Sequence, residues 1–417
     1  MRSPTGPELR CSSKVVLREL NILKGARLRH LKLGGYLVDL IQKFIIIRDY
    51  LNKKLYNKRK NAMFIKEIKL ENFRNYNYEK IELNEKTNII FGDNAQGKTN
   101  ILEAIFFASL GKSFRTNKEK ELIKEKEQIA KVQIRFVKNN RDQNIKVEID
   151  DKKRFFINDI PIKKLSELVG NINVVLFTPE DIEILRNEPA RRRKFLNIMI
   201  SQLRPKYMHI YSLYNKALEE RNNYLKKIKQ EKANEELLEI WDEQLISYGK
   251  IISEYRKEFI DKIKNKIKLI HKNITGEKEE IKIKYLTDCL DEINYRNLLK
   301  QRRKLDIIKG FTTRGIHRDD FEIYINNILV NTYGSQGQHR TAILSLKMAE
   351  LQVIQDEIGE EPILLLDDFM SELDEKRRLN FLNNIKDNQV IITCTEKFEI
   401  ENSDVKYFKV EDGEIFT

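Results

Sequence analysis

Thr87-Asn-Ile-Ile-Phe91 runs directly into Gly92-Asp93-Asn94-Ala95-Gln96-Gly97-Lys98-Thr99, and beyond Asn100 come Ile101, Leu102, Ile105, Phe106 and Leu110. The first five residues read as a buried strand, and the apolar series after Lys98 recurs at helical spacing. The eight residues between fit GxxxxGK[ST] in full, in the strand-then-helix context that gives the pattern meaning. Glycines let backbone N–H groups curl around phosphates, and the helix N-terminus adds its positive end. Gly92, Asp93, Asn94, Ala95, Gln96, Gly97, Lys98, Thr99 and Asn100 are therefore the expected nucleotide-binding segment. Lys98 is expected at the β- and γ-phosphates, with the Thr99 hydroxyl on Mg²⁺.

A second motif lies near the other end of the chain. Ile363-Leu-Leu-Leu-Asp367-Asp368 places four apolar residues, as a central buried strand needs, before two acids. Acids at such an edge are costly unless they face a metal or a cleft. Asp367 is expected to hold Mg²⁺ through water, and Asp368 to orient or deprotonate an attacking water. An ordinary strand end capped by acids is the plainer reading, which the upstream loop weakens. A third motif, Tyr333-Gly-Ser335-Gln-Gly337-Gln338-His-Arg340, opens another helical series 32 residues before Asp367, counted from Ser335. Ser335, Gly337 and Gln338 make a second phosphate-binding turn, although a simple helix cap has the same letters. Two such ends in one chain suggest that one serves a neighbour's nucleotide, in a two-fold dimer.

Outward from these motifs the texture changes several times. Phe64–Leu70 alternates as a half-buried strand, with Ile81–Leu83 as a partner. Val132–Phe136, Lys146–Ile149 and Arg154–Ile157 read as antiparallel strands turning at Asn139-Asn140 and Asp150-Asp151. Val174–Phe177 is another buried strand, followed by Thr178 as N-cap and Pro179 at the first helical position. Residues 189–304 are charged, periodic and nearly free of glycine and proline after Pro205. They predict side-by-side helices that pack on themselves, with a short strand at Ile281–Tyr285. Phe321–Ile325 and Ile328–Val330 predict a hairpin across Asn326-Asn327. The expected divisions are a basic extension at 1–62, a head segment at 63–199, a helical arm at 200–304 and a second head segment at 305–417.

Charge narrows the classes. The chain of 417 residues carries a formal +14, but residues 1–62 hold 15 Lys/Arg against 4 Asp/Glu. Any DNA surface on the body must therefore be a local patch. Arg115 and Arg191–Arg193 are candidates for it, a solvated or salt-bridged face being the plainer reading of the triple arginine. Cys11, Cys289 and Cys394 are isolated, which supports neither a disulfide framework nor a zinc site and points to a reducing cytoplasm. Tyr36–Ile47 is short and holds Asp39, Gln42 and Lys43, so no membrane span is expected.

The order of loop, helical insertion, Ser-x-Gly-Gln turn, acidic strand and Ser371-Glu-Leu-Asp374 resembles ABC-type ATPase heads. Within them the chain resembles the RecF family from Met63 to Thr417. The segments that carry this are Leu70-Glu-Asn-Phe-Arg-Asn-Tyr76, Val174-Val-Leu-Phe-Thr-Pro-Glu-Asp181, Pro189-Ala-Arg-Arg-Arg-Lys-Phe-Leu196, Gly315-Ile-His-Arg-Asp-Asp320 and Leu365-Leu-Asp-Asp-Phe-Met-Ser-Glu-Leu-Asp374. The resemblance implies an α/β fold: an ABC-type P-loop ATPase head with mixed β-sheets plus a helical arm lobe. It implies ATP-dependent homodimerisation on double-stranded and gapped DNA, slow hydrolysis, and work with RecO and RecR, and indirectly RecA, in recombinational repair. It places Arg74 near the nucleotide phosphates and Ser335, Gly337 and Gln338 at the γ-phosphate of the other subunit's ATP. Asp374 falls at the dimer seam, and Thr395 where many ABC proteins carry a sensing histidine. Residues 1–62 have no counterpart, Gly315-Ile-His replaces Gly-Pro-His, and Asn187-Glu188 stands where glycine is common.

Asp368 is one methylene shorter than the glutamate common at its place, which predicts a looser hold on water and slow turnover. An ATP-gated structural clamp acting on protein partners, in the manner of SMC proteins, is the alternative. A P-loop phosphotransferase is a third reading, which leaves Ser335–Gln338 and Ser371–Asp374 without a task.

Overall fold

The computed structural model describes residues 63–186, 188–373, 375–400 and 404–417, all within the unit Asn61–Thr417. The expectations for residues 1–62, Asn187 and Asp374 lie outside the described residues. Two sheets make the head. The first is antiparallel, in the order β2 (Tyr76–Glu82), β1 (Phe64–Phe73), β4 (Ala130–Lys138), β5 (Arg141–Ile149), β6 (Lys153–Ile157) and β7 (Ile160–Ile162). Its tight turns use residues that tolerate left-handed backbone: Asn139 and Asn140 at φ 51° and 58°, Asn158 and Asp159 at 49° and 64°. The alternation of β1 breaks where its register against β4 shifts between Ile65 and Glu67, and Ile65, Ile68 and Leu70 all reach the core.

The second sheet runs β15 (Glu414–Phe416), β14 (Val405–Glu411), β3 (Thr87–Phe91), β13 (Val390–Cys394), β12 (Ile363–Asp367) and β8 (Val174–Phe177). All but β15 are parallel to their neighbours, so their C-terminal ends share one edge. That edge is where open α/β sheets bind ligands. Both ends of the sequence contribute, because β3 lies between β13 and β14. Helix α1 (Lys98–Leu110) packs against strands of both sheets, and every residue from Ile101 to Leu110 is buried. It therefore has no polar stripe, as a helix enclosed on all sides should not.

The longer helices of the remainder are α2 (Pro189–Leu203), α3 (Pro205–Glu231), α4 (Leu238–Thr275), α5 (Glu292–Lys309), α6 (Gln336–Ile358) and α7 (Glu375–Ile385). A third sheet joins β9 (Ile281–Leu286), β10 (Asp320–Ile325) and β11 (Ile328–Leu329). Val330, expected to end the hairpin, instead begins a helical turn, Val330–Tyr333, leading to Ser335. The insertion was expected to pack on itself. Its longest helix, α4, spans 38 residues, ~57 Å at 1.5 Å per residue. Helix α4 packs against α3 within the insertion, and its buried stripe, including Ile252, Phe259, Ile263 and Ile267, also packs with α6 in one core that holds Val175 and Phe177 of β8. The reason is apolar area: α6 is buried on most of its surface and needs α4 as cover.

Buried charge fixes this junction. Fully buried Arg256 of α4 donates to Asp319 (2.9 Å), Asn197 (3.0 Å) and the Ile316 carbonyl (2.7 Å), while Tyr285 donates to the same Asp319 carboxylate. Arg221 of α3 donates to Asp242 (2.7 Å) and Asp306 (2.8 Å). The triple arginine divides its tasks. Arg192 forks onto Asp320 at 2.5 and 2.9 Å, Arg193 donates to the Asp319 carbonyl, and Arg191 pairs with Glu183. Two of the three arginines thus tie α2 to the start of β10.

Candidate nucleotide site

Close approach explains the glycines of the loop. Gly92 follows β3 at φ 151°, and a Cβ there would lie 2.3 Å from the Val410 carbonyl oxygen of β14. Gly97 has φ 116° and would press a Cβ against Asn75 and the Tyr76 hydroxyl. The Asn75 amide donates to the Gln96 carbonyl (2.7 Å), and Tyr76 donates to the Gly97 carbonyl (3.0 Å). Gln96 in turn accepts from the Asp412 N–H, binding the loop to the β14–β15 turn. Asp93, Asn94 and Ala95 are exposed at the tip, Ala95 with φ 67°. The Lys98 ammonium donates to the Gly92 and Asp93 carbonyls, both at 2.7 Å, which draws the cation across the inside of the loop.

Thr99, in the first turn of α1, donates its hydroxyl to Asp367 Oδ1 at 2.8 Å. Thr393, at the end of β13, donates to the same oxygen at 2.7 Å and accepts from the Asp368 N–H at 3.1 Å. Parallel pairing makes this possible, because Asp367 stands opposite Thr393 in the register. Burial raises the Asp367 carboxyl above its ordinary value; the two threonine hydroxyls oppose this, and Asp368 and Glu180 add to it. Asp368 is half-buried and left-handed at φ 46°, a strained turn of the kind found where a side chain must be aimed. Thr99, Glu180, Asp367 and Asp368 line one cleft of about 540 Å³.

This donor set suits a hard cation. Among the described residues no group of three or more His, Cys, Asp or Glu is assembled for a metal. Mg²⁺ needs none, since it takes one or two protein oxygens and completes its shell with phosphates and water. Thr99 and Asp367 are the residues that fit it, and the excess of acids around them favours a positive guest.

The other expected residues lie elsewhere. Arg74, at φ 57° between β1 and β2, forks onto Glu103 of α1 at 2.8 and 2.7 Å and donates to the Glu121 carbonyl. Asn100 donates to Asn75 and accepts from Arg115, both at 2.7 Å. Ser335 caps α6 reciprocally with Gln338: its hydroxyl accepts from the Gln338 N–H (3.2 Å), and the Gln338 side chain accepts from the Ser335 N–H (3.1 Å). Gln338 also donates to Glu279, and Gly337 is exposed, a Cβ there meeting only the Ser335 hydroxyl at 3.9 Å. None of Ser335, Gly337 and Gln338 lines the cleft of Thr99 and Asp367. Thr395 is exposed just past β13.

Sequence reading missed Thr393, Glu180, Asn75 and Glu103. The signal for Thr393 was a hydroxyl ending an otherwise apolar strand, Val390-Ile-Ile-Thr-Cys394. Glu180 follows β8 in Thr178-Pro-Glu-Asp181, at the same edge as the two aspartates.

A parallel sheet with a phosphate loop after one strand, paired acids after another and a second capped turn on a separate helix defines an ABC-type P-loop ATPase head. Residues 64–415 match the family described as RecF/RecN/SMC N terminal domain. The DNA replication and repair protein RecF of Clostridium novyi is 44% identical over 362 residues, covering 85% of this chain and 99% of that protein. A solved structure of the recombination mediator protein RecF with ATP, in the RecFOR pathway, superimposes with a TM-score of 0.81 at 39% identity, over 86% of this chain and 98% of that one. An SMC head bound to the winged-helix domain of ScpA, 16% identical with a TM-score of 0.50, shares the fold alone. The chain belongs to the RecF family of DNA replication and repair proteins. No helix among the described residues is long and apolar enough to cross a membrane.

Proposed function

We propose that this protein is an ATP-driven switch of the cytoplasm that dimerises on double-stranded and gapped DNA and, with RecO and RecR, helps place RecA during recombinational repair. The ATP reading rests on the loop geometry and on the ATP-bound relative. Backbone N–H groups of Gly92–Thr99 receive the phosphates, and Lys98 exchanges its two loop carbonyls for β- and γ-phosphate oxygens. Thr99 and Asp367 would hold Mg²⁺, which would supply neutralisation of phosphate charge. Asp368 orients the attacking water, its short side chain keeps hydrolysis slow, and DNA binding stimulates it. Arg74 is held by Glu103 in the described structure, so its approach to the phosphates requires that pair to open.

The observation that carries the two-subunit part is the separation of the halves of the site. The acids, Lys98 and Thr99 converge on one sheet edge, whereas Ser335, Gly337 and Gln338 lie outside that cleft, exposed or half-exposed at the start of α6. A triphosphate bound by one subunit is then closed by Ser335, Gly337 and Gln338 of its partner. The helices of residues 200–304 act as the arm, and their shared core with α6 favours a switch over a free-standing clamp on protein partners. Sedimentation with ATP, with and without gapped DNA, tests this. Wild type is expected to pair, and Ser335→Arg to stay monomeric with nucleotide affinity unchanged. Pairing by the variant would refute the trans arrangement.

A further inference from the structure

The cleft at the acids continues. Past Phe114 it meets a second cleft of about 720 Å³, whose charged walls are Arg115, Arg186, Glu188, Arg191 and Lys194; Phe114, Arg115, Arg191 and Lys194 line both. Lys112 lies close enough to Lys194 to repel it. Four cations thus face one acid, and Lys112 flanks them. Arg191 is partly answered by Glu183 at 2.8 Å, and Arg115 by Glu103 at 3.4 Å. Among the described residues no carboxylate pairs with Lys112, Arg186 or Lys194.

The local backbone points the same way. Helix α2 starts here with no side-chain cap and no acid in its first turn, and Arg191 sits in that turn instead. A cation at the positive end of a helix is unfavourable by itself, whereas an anion there is stabilised by both the side chain and the backbone. Lys194 tells of the same crowding: burial, Arg191 and Lys112 hold its ammonium below the usual lysine value.

We propose that this cleft seats backbone phosphates of duplex DNA. The inference rests on the DNA-binding reading above and gives it a location. Four lining cations and the flanking Lys112, spread over three segments, exceed what one inorganic phosphate can answer, and they suit successive phosphodiesters along a strand. The cleft is also wired to the nucleotide loop. Arg115 donates to Asn100, Asn100 to Asn75, and Asn75 to the Gln96 carbonyl, each at 2.7 Å. Arg115 and Arg74 share the buried Glu103 carboxylate. A phosphate that draws Arg115 outward loosens its hold on Glu103 and disturbs the Asn100–Asn75 pair beneath the loop, which links DNA occupancy to nucleotide chemistry.

Arg186→Ala and Lys112→Ala, both away from the acid cleft, test the site alone and together in the full chain with ATP. Duplex binding is read by fluorescence anisotropy across a salt series. Each DNA phosphate deprived of its cation is expected to lower the slope of log affinity against log salt by ~0.9, or about eightfold in affinity at 0.1 M salt. The affinity for a fluorescent ATP analogue, without DNA, is expected to stay at the wild-type value. Duplex binding and salt slope unchanged in the double variant, while wild type binds, would overturn the cleft assignment alone. A loss of analogue affinity matching any loss of DNA affinity would assign the cations to nucleotide phosphate and also overturn it. A wild type that binds no duplex overturns both the cleft and the DNA-binding reading.

Discussion

Thr393 offers the sharpest test of how the catalytic edge is held. Thr393→Val keeps the shape of the side chain and removes only the hydroxyl. That hydroxyl donates to Asp367 at 2.7 Å and accepts from the Asp368 N–H at 3.1 Å. Loss of the charge-assisted bond costs about 2 kcal/mol, and leaving the half-buried N–H without an acceptor about 1 kcal/mol more. The variant should therefore be less stable by about 3 kcal/mol in guanidinium unfolding, with Thr393→Ser close to wild type. A second readout follows from charge. The hydrogen bond from Thr393 lowers the Asp367 carboxyl against the burial that raises it. Without it the carboxylate takes up a proton at higher pH, so Mg²⁺-dependent nucleotide binding should weaken earlier on acidification. A valine variant within about 0.5 kcal/mol of wild type, or a serine variant as unstable as valine, would refute this account.

Two further outcomes follow from the junction between the helices and β10. Gly315 has φ 135°, and a Cβ there would lie 2.4 Å from the hydroxyls of both Tyr214 and Tyr295. Gly315→Ala should cost about 3 kcal/mol through strain and overpacking together, with part recovered in a Tyr214→Phe, Tyr295→Phe background; no recovery in thermal unfolding would contradict the close approach. Burial pushes the His317 imidazole down to about 4 from 6.5, with Arg318, Arg193 and Arg221 adding to the shift. Between those values the unfolded chain binds a proton that the folded one refuses. This contribution is therefore complete above about pH 6.5 and is lost as pH falls toward 4, by about 3 kcal/mol in all. Urea midpoints at several pH values should fall less steeply for His317→Gln, and equal slopes would show that His317 stays neutral for no energetic consequence.

The nucleotide loop was legible because its chemistry is local. Gly92, Gly97, Lys98 and Thr99 act through backbone shape and one helix start, all written within eight residues. The acids were legible because an apolar strand ending in Asp367-Asp368 has few other uses. Thr393 and Glu180 were not, because their part depends on which strands become neighbours, and β8, β12 and β13 meet only through long crossovers. The arginines of α2 were read as a solvated or salt-bridged face, and the salt bridges are there, but their partners were hidden for a related reason. A run of charge does not name its partners in one dimension, and Asp319 and Asp320, which claim Arg193 and Arg192, lie more than a hundred residues away. The second packing partner of the insertion was not legible, because α6 is buried on most of its surface and needed a cover that its own sequence did not name.

The strand that carries the nucleotide loop is flanked by β13 and β14, roughly three hundred residues later in the chain. On a ribosome, the antiparallel sheet can form as soon as residue 162 emerges, but β3 must wait for the last part of the message. A chain stopped short of β14 has the whole GxxxxGK[ST] sequence and no backbone for Gly92 to lean on. Truncated products should thus be inert toward nucleotide, and translation has to finish before the first ATP can be held. Late pairing over so long a separation also makes this sheet the slow step of folding.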